Sequence, residues 1–155
     1  MRLKKYICNR QGFTLVGLIV ATAIIGLVAE LMAMGLAAQM PKRRLNGAAR
    51  KVMLDVMEAR IQAIHQNQNI LVKFSNDHEY RIGPDTNNNG TLDAGEGKTE
   101  DIQDQYESIT FAAPLPPVFT FDPRGFSDRP STITLSNASG SKSITVAITG
   151  RAKIN

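Results

Sequence analysis

Apolar residues run almost without interruption from Phe13 to Ala38, a stretch of 26 residues (38 − 12) with one ionisable group, Glu30, and the mild polar breaks Thr14 and Thr22. About 20 such residues cross a bilayer as a helix, the form that satisfies its own backbone polar groups in hydrocarbon. Pro41 follows; it removes a helical hydrogen bond and clashes with the preceding turn, so a kink or local melt is expected there. Beyond it Leu45, Ala49, Val52, Val56, Ala59 and Ala63 recur at spacings of three and four, drawing an apolar stripe down a second helical stretch to about Gln66. From Ile70 the period shifts toward two. Strands are predicted at Ile70 to Phe74, Glu79 to Ile82, Ile109 to Phe111 and Val118 to Phe121, the last two flanking Pro114, Pro116 and Pro117. Ile133 and Leu135, then Ile144, Val146 and Ile148, alternate with Ser and Thr around a turn-rich Asn137 to Ser141, which reads as an antiparallel hairpin.

A chain of 155 residues holds one long helix and one small globular domain, and not two full domains. Lys and Arg outnumber Asp and Glu 18 to 14, but Arg2, Lys4, Lys5 and Arg10 all precede the apolar run, so the rest is formally neutral. Those four charges place the N-terminus in the cytoplasm and send everything after the run across the membrane, although Lys42, Arg43 and Arg44 pull the other way. The remaining charge is segregated. Asn76 to Glu107 carries nine acids against Arg81 and Lys98, while Pro123 to Asn155 carries five bases against Asp128. Such asymmetry suits head-to-tail packing, an anionic partner at the C-terminal end, or simply a solvated surface. The single cysteine, Cys8, lies ahead of the apolar run, so no disulfide framework is available beyond it.

The junction Gly12-Phe13-Thr14-Leu15-Val16 resembles the leader of a type IV prepilin. A secretory signal loses its apolar core on cleavage, because the cut follows that core. Here the resemblance implies that prepilin peptidase cuts after Gly12, that Phe13 is N-methylated, and that the apolar segment stays attached; the competing reading is an uncleaved signal anchor. The implied organisation is a leader (1–12), a transmembrane and polymerisation helix (13–40), an amphipathic helix (41–68) and a periplasmic β domain (69–155). The implied fold is α+β and pilin-like, a long N-terminal helix packed on a C-terminal antiparallel sheet. The partners implied are other pilins through that helix, the peptidase and inner-membrane lipid, with the chain moving from a single-pass inner-membrane state into a pilus or pseudopilus.

Two further passages narrow the resemblance. Glu58-Ala59-Arg60-Ile61-Gln62-Ala63-Ile64 ahead of the Ile70 strand, and Phe121-Asp122-Pro123-Arg124-Gly125 with the later Gly150-Arg151, are similar to the H-type minor pseudopilins of type II secretion and their FimT-like counterparts in type IV pili. The chain departs from that family at Gly17, where the fifth residue after the cut is normally a glutamate that meets a neighbour's N-terminal ammonium. Glu30, 13 residues on and about 20 Å along a helix, cannot reach the same partner. Gly17 therefore fits a tip subunit with no predecessor to neutralise, or drift in a component of low copy number. Neither reading suits an abundant major pilin.

Asp85 to Glu96 matches a twelve-residue calcium loop. Asp85, Asn87, Asn89, Asp93 and Glu96 fall at positions one, three, five, nine and twelve, the Thr91 carbonyl at seven and Gly90 at the sharp turn. Gly83-Pro84 allows no helix ahead of it, so a hydrated turn between strands is the other reading; no cofactor is required, and calcium is the possible one. At the C-terminus Arg151 and Lys153 share one face of a final strand. This is similar to the basic motif through which FimT-like minor pilins contact DNA, or it is a solvated strand end. His65 and His78 lack a nucleophile and oxyanion arrangement around them, and no ligand cluster has transition-metal spacing, so no enzyme is expected.

Overall fold

The computed structural model describes residues 14–93 and 95–155, with side chains left out at 31–38. Gly12 and Phe13 therefore lie outside the described residues. Helix α1 covers Leu15–Gln66. The chain divides into two compact units within this helix, one up to Gln39 and one from Met40 to Asn155.

In the first unit Thr14 caps the helix, its Oγ1 accepting the Gly17 amide at 3.2 Å, which satisfies one of the donors a helix start leaves open. Leu15 is 75 % exposed, and Val16, Leu18, Ile19, Val20, Ile24, Ile25, Leu27 and Val28 are exposed with it. Apolar residues thus cover the helix on all sides, not as a stripe. Among the described residues no helix is long and apolar enough to cross a membrane. The side chains of 31–38, which continue the expected span, are outside that description.

In the second unit the helix is amphipathic. Leu45, Ala49, Val52, Val56, Ala59 and Ala63 are buried as the spacing predicts, with Ala48 beside them. The expected melt at Pro41 does not occur, for the residue sits inside a continuous helix and its carbonyl accepts from Asn137 Nδ2 at 2.8 Å. The helix ends where Asn67 turns left-handed (φ 53°) and the Gln68 amide reaches back to the Ala63 carbonyl at 3.3 Å, a Schellman closure.

The strands are β1 (Ile70–Phe74), β2 (Glu79–Pro84), β3 (Lys98–Asp101), β4 (Thr110–Phe111), β5 (Phe119–Phe121), β6 (Ser131–Asn137), β7 (Gly140–Val146) and β8 (Ala152–Ile154). They form two antiparallel four-stranded sheets, ordered β3-β2-β1-β5 and β4-β6-β7-β8, where a single sheet was expected. The chain crosses between them three times, after β3, β4 and β5; the second crossing is the Pro114 to Pro117 segment, where prolines cannot donate to a ladder and so separate β4 from β5. Ile70, Val72, Phe74, Phe119 and Phe121 from one sheet, and Ile133, Leu135, Ile144 and Val146 from the other, close one core with the helix stripe.

The β6–β7 hairpin forms as predicted, with Ile133 opposite Ile144. Ile148 does not join it. The strand has ended, the Gly150 amide donates to Ala147, and Ile148 is 57 % exposed. Strand β3 was not foreseen because Lys-Thr-Glu-Asp carries no apolar alternation; it is an edge strand whose burial is partial.

Candidate functional site

Leu71 pairs with Gly83 and Lys73 with Arg81, so these four side-chain positions share the face of the first sheet that looks away from the helix core. Arg81 Nη2 donates to the carbonyls of Asp93 (3.1 Å) and Glu96 (2.7 Å), which holds the Asp85–Glu96 loop over that face. Leu71 and Leu92 are both buried there, outside the main core.

The loop closes on itself. Asp85 is buried and its carboxylate accepts the Asn89 amide at 3.0 Å and the Gly90 amide at 2.9 Å, while Gly90 takes the left-handed conformation (φ 74°) that the turn needs. Asn87 Nδ2 and Asn89 Nδ2 donate to the same Asp93 oxygen at 2.8 and 2.9 Å, which holds the Asp93 carboxyl below the ordinary carboxylate range. Glu96 accepts the Thr86 amide on one oxygen and the Asp93 amide on the other, both at 3.1 Å; its pKa is lowered chiefly by the Thr86 contact. Thr91 donates to Asn89 Oδ1 through its amide and its hydroxyl. The donor set is rich in hard oxygen, as calcium requires, yet the two Asn side chains turn nitrogen toward Asp93 and the three carboxylates do not converge. Among the described residues the one set of three His, Asp or Glu side chains with ligand atoms within 4.8 Å of each other is His78, Glu79 and Asp101.

At the other sheet, Arg151 lies immediately before β8 and Lys153 within it; both are exposed, and neither makes an ion pair among the described residues. With Thr145, Ala147 and Asn155 they line an open groove of about 370 Å³. Behind them, the Arg60 Nε–H donates to the Gly125 carbonyl at 2.9 Å, and Gly150 (φ 75°) packs so closely on that carbonyl that a Cβ would collide with it.

Sequence reasoning missed a polar network that ties helix to sheet. Lys51 Nζ donates to Asp55 at 2.9 Å and to Glu100 at 3.1 Å, with all three side chains about a fifth exposed (19 %, 20 % and 19 %). The fully buried Tyr80 donates its hydroxyl to the same Asp55 oxygen, and burial pushes its pKa far up. Desolvation draws the Lys51 pKa down, but the contacts to Asp55 and Glu100 outweigh it and the net shift is upward. The i, i+4 spacing of Lys51 and Asp55 was the one signal available. Beside the network runs a groove of about 280 Å³ floored by Ala59, Ile82 and Pro84.

An apolar helix continuing into an amphipathic one, packed on antiparallel strands and opening with a prepilin-like junction, defines a pilin-like subunit. Residues 7–29 match the prokaryotic N-terminal methylation motif, and residues 48–150 match the family described as type II transport protein GspH. The chain belongs to the GspH family. Its fold is similar to that of the type IV minor pilin FimU of Pseudomonas aeruginosa (17 % identity, 74 % of this chain and 90 % of that one, TM-score 0.59). It is also similar to the minor pseudopilin EpsH from the Type 2 Secretion System of Vibrio cholerae (12 % identity, 72 % and 96 %, TM-score 0.55). No curated protein matches the chain.

Proposed function

We propose that this minor pilin or pseudopilin primes or caps a periplasmic fibre of a type II secretion system or type IV pilus. It enters the inner membrane as a single-pass precursor, is cut after Gly12 and is methylated at Phe13. The observation that carries the reading is the helix from Leu15 to Val28, whose large apolar side chains are exposed on every side. In water that surface is costly, and lipid or the helices of other pilins would cover it. Gly17 supports the terminal position, because a subunit with no predecessor needs no carboxylate for a neighbour's ammonium.

Immunogold labelling of sheared fibres carrying an epitope-tagged copy tests the position, alongside N-terminal sequencing of the processed chain. Label at one end of each fibre and a methylated Phe13 start are expected. Label along the shaft overturns the terminal role, and an intact Met1 overturns the processing.

The Asp85–Glu96 loop is read as a weak calcium loop that turns the Asn87 and Asn89 oxygens inward when the ion binds, supported by its oxygen-rich donor set. The second reading, DNA binding for natural transformation through Arg151 and Lys153, is favoured by their exposure without ion-pair partners among the described residues. Gel shifts with the full chain in detergent decide it: loss of binding on Arg151→Ala supports uptake, and no binding at low salt removes it.

A further inference from the structure

The start of β2 and the end of β3 bring His78, Glu79 and Asp101 together, one ligand atom of each lying within 4.8 Å of the others. We propose that these three side chains form a binding site for a divalent transition cation of the zinc type, apart from the Asp85–Glu96 loop.

The imidazole is already oriented for the task. Asp77 Oδ1 stands 2.8 Å from His78 Nδ1, and an ionised carboxylate can only accept, so in the neutral ring that binds a metal Nδ1 carries the proton and Nε2 the lone pair. Nε2 faces Asp101 Oδ2 at 4.0 Å. A carboxylate behind an imidazole in this way sets the tautomer and raises the basicity of a metal-binding histidine. Each of the two acidic ligands likewise has one oxygen anchored and one left over. Glu79 Oε2 accepts from Asn76 Nδ2 at 2.8 Å, and Asp101 Oδ1 accepts the Gln103 amide at 2.8 Å, leaving Glu79 Oε1 and Asp101 Oδ2 for a ligand.

The backbone beneath them is pinned as well. Asn76 Oδ1 accepts the amides of His78 and Glu79 at 3.0 and 2.7 Å, and the Ile102 amide donates to the His78 carbonyl at 3.0 Å.

Electrostatics points the same way. Glu79 stands directly opposite Asp101 in the β2–β3 register, and like charges in that position repel. Among the described residues neither carboxylate pairs with a lysine or arginine, and Asp77 adds a third negative charge beside them. A divalent cation removes that repulsion. Zinc bonds to nitrogen and oxygen are about 2.0–2.2 Å, so the ligand atoms must close by roughly 1 Å, which the broad terminal torsions of Glu and Asp allow. The imidazole selects against calcium, which takes six to eight oxygens.

Calorimetric titration of zinc chloride into the metal-stripped full chain in detergent tests the proposal, with Cys8→Ser in every arm to remove the one thiol. One zinc per chain is expected, undisturbed by excess calcium, and cobalt(II) in the same site should give the strong visible bands of a low-coordinate complex. His78→Gln, Glu79→Gln and Asp101→Asn should each weaken binding by at least about tenfold, as lost ligands do. Glu79→Gln keeps an acceptor for Asn76 and Asp101→Asn keeps the cap, so at least these two variants retain the local fold. Absence of saturable zinc binding, or binding that survives His78→Gln unchanged, overturns the site.

Discussion

Lys51→Met tests what locks the helix to the sheet. The substitution keeps an unbranched apolar stem in place of the lysine's and removes the cation that Asp55 and Glu100 share at 2.9 and 3.1 Å. Taking one partner from a buried ion pair costs about 3–5 kcal/mol, because the remaining charge is left without compensation. Three features reduce that figure here: the side chains are about a fifth exposed, Tyr80 still donates to Asp55, and Lys98 still pairs with Glu100. A loss of about 2 kcal/mol follows, which for a domain the size of Met40–Asn155 lowers the melting midpoint by roughly 8 °C. Near-ultraviolet circular dichroism of the full chain in detergent reports it through the tyrosines, since Tyr80 is fully buried and the sequence has no tryptophan. Adding Asp55→Asn to Lys51→Met should recover part of the loss, as the unpaired charge is then gone. A midpoint within about 2 °C of wild type would refute the reasoning, and so would a double variant that loses as much as the two single changes added together.

The remaining predictions concern pH, backbone and ion. The Glu100 pKa is lowered, first by Lys98 and then by Lys51, against an opposing desolvation. Its stabilising contribution is therefore complete above the unfolded value of 4.5 and lost as pH falls through the lower folded value; acid melts should steepen below that pH, and Glu100→Gln should flatten them. Gly150→Ala forces a side chain into a left-handed position against the Gly125 carbonyl, and a loss of about 2 kcal/mol or more is expected in a denaturant melt; an unchanged midpoint would show that the turn relaxes freely. Calcium at 100 times its dissociation constant should add about 2.7 kcal/mol to the metal-stripped chain, and Asp93→Ala should abolish the gain; chelator without effect on the midpoint rejects the calcium loop.

Periodicity alone carried the helices and most strands. The three-and-four spacing of Leu45 to Ala63 marks a buried face because nothing else places small and branched apolar groups at those intervals, and all six are buried. The Gly12-Phe13 junction and the nearly uninterrupted apolar run likewise need no neighbours to be read, since they are local chemistry. Other features depend on residues far apart in the chain. That Pro41 stays helical, that β3 forms from Lys-Thr-Glu-Asp, and that the strands divide into two sheets all follow from pairing across loops of tens of residues. The same is true of Lys51 meeting Glu100 and of His78 meeting Asp101, groups 49 and 23 residues apart (101 − 78) whose encounter is set by strand register and helix docking. A linear pattern records which face of an element prefers water; it holds no record of which distant face will cover it, because that choice is made by the packing free energy of the whole domain.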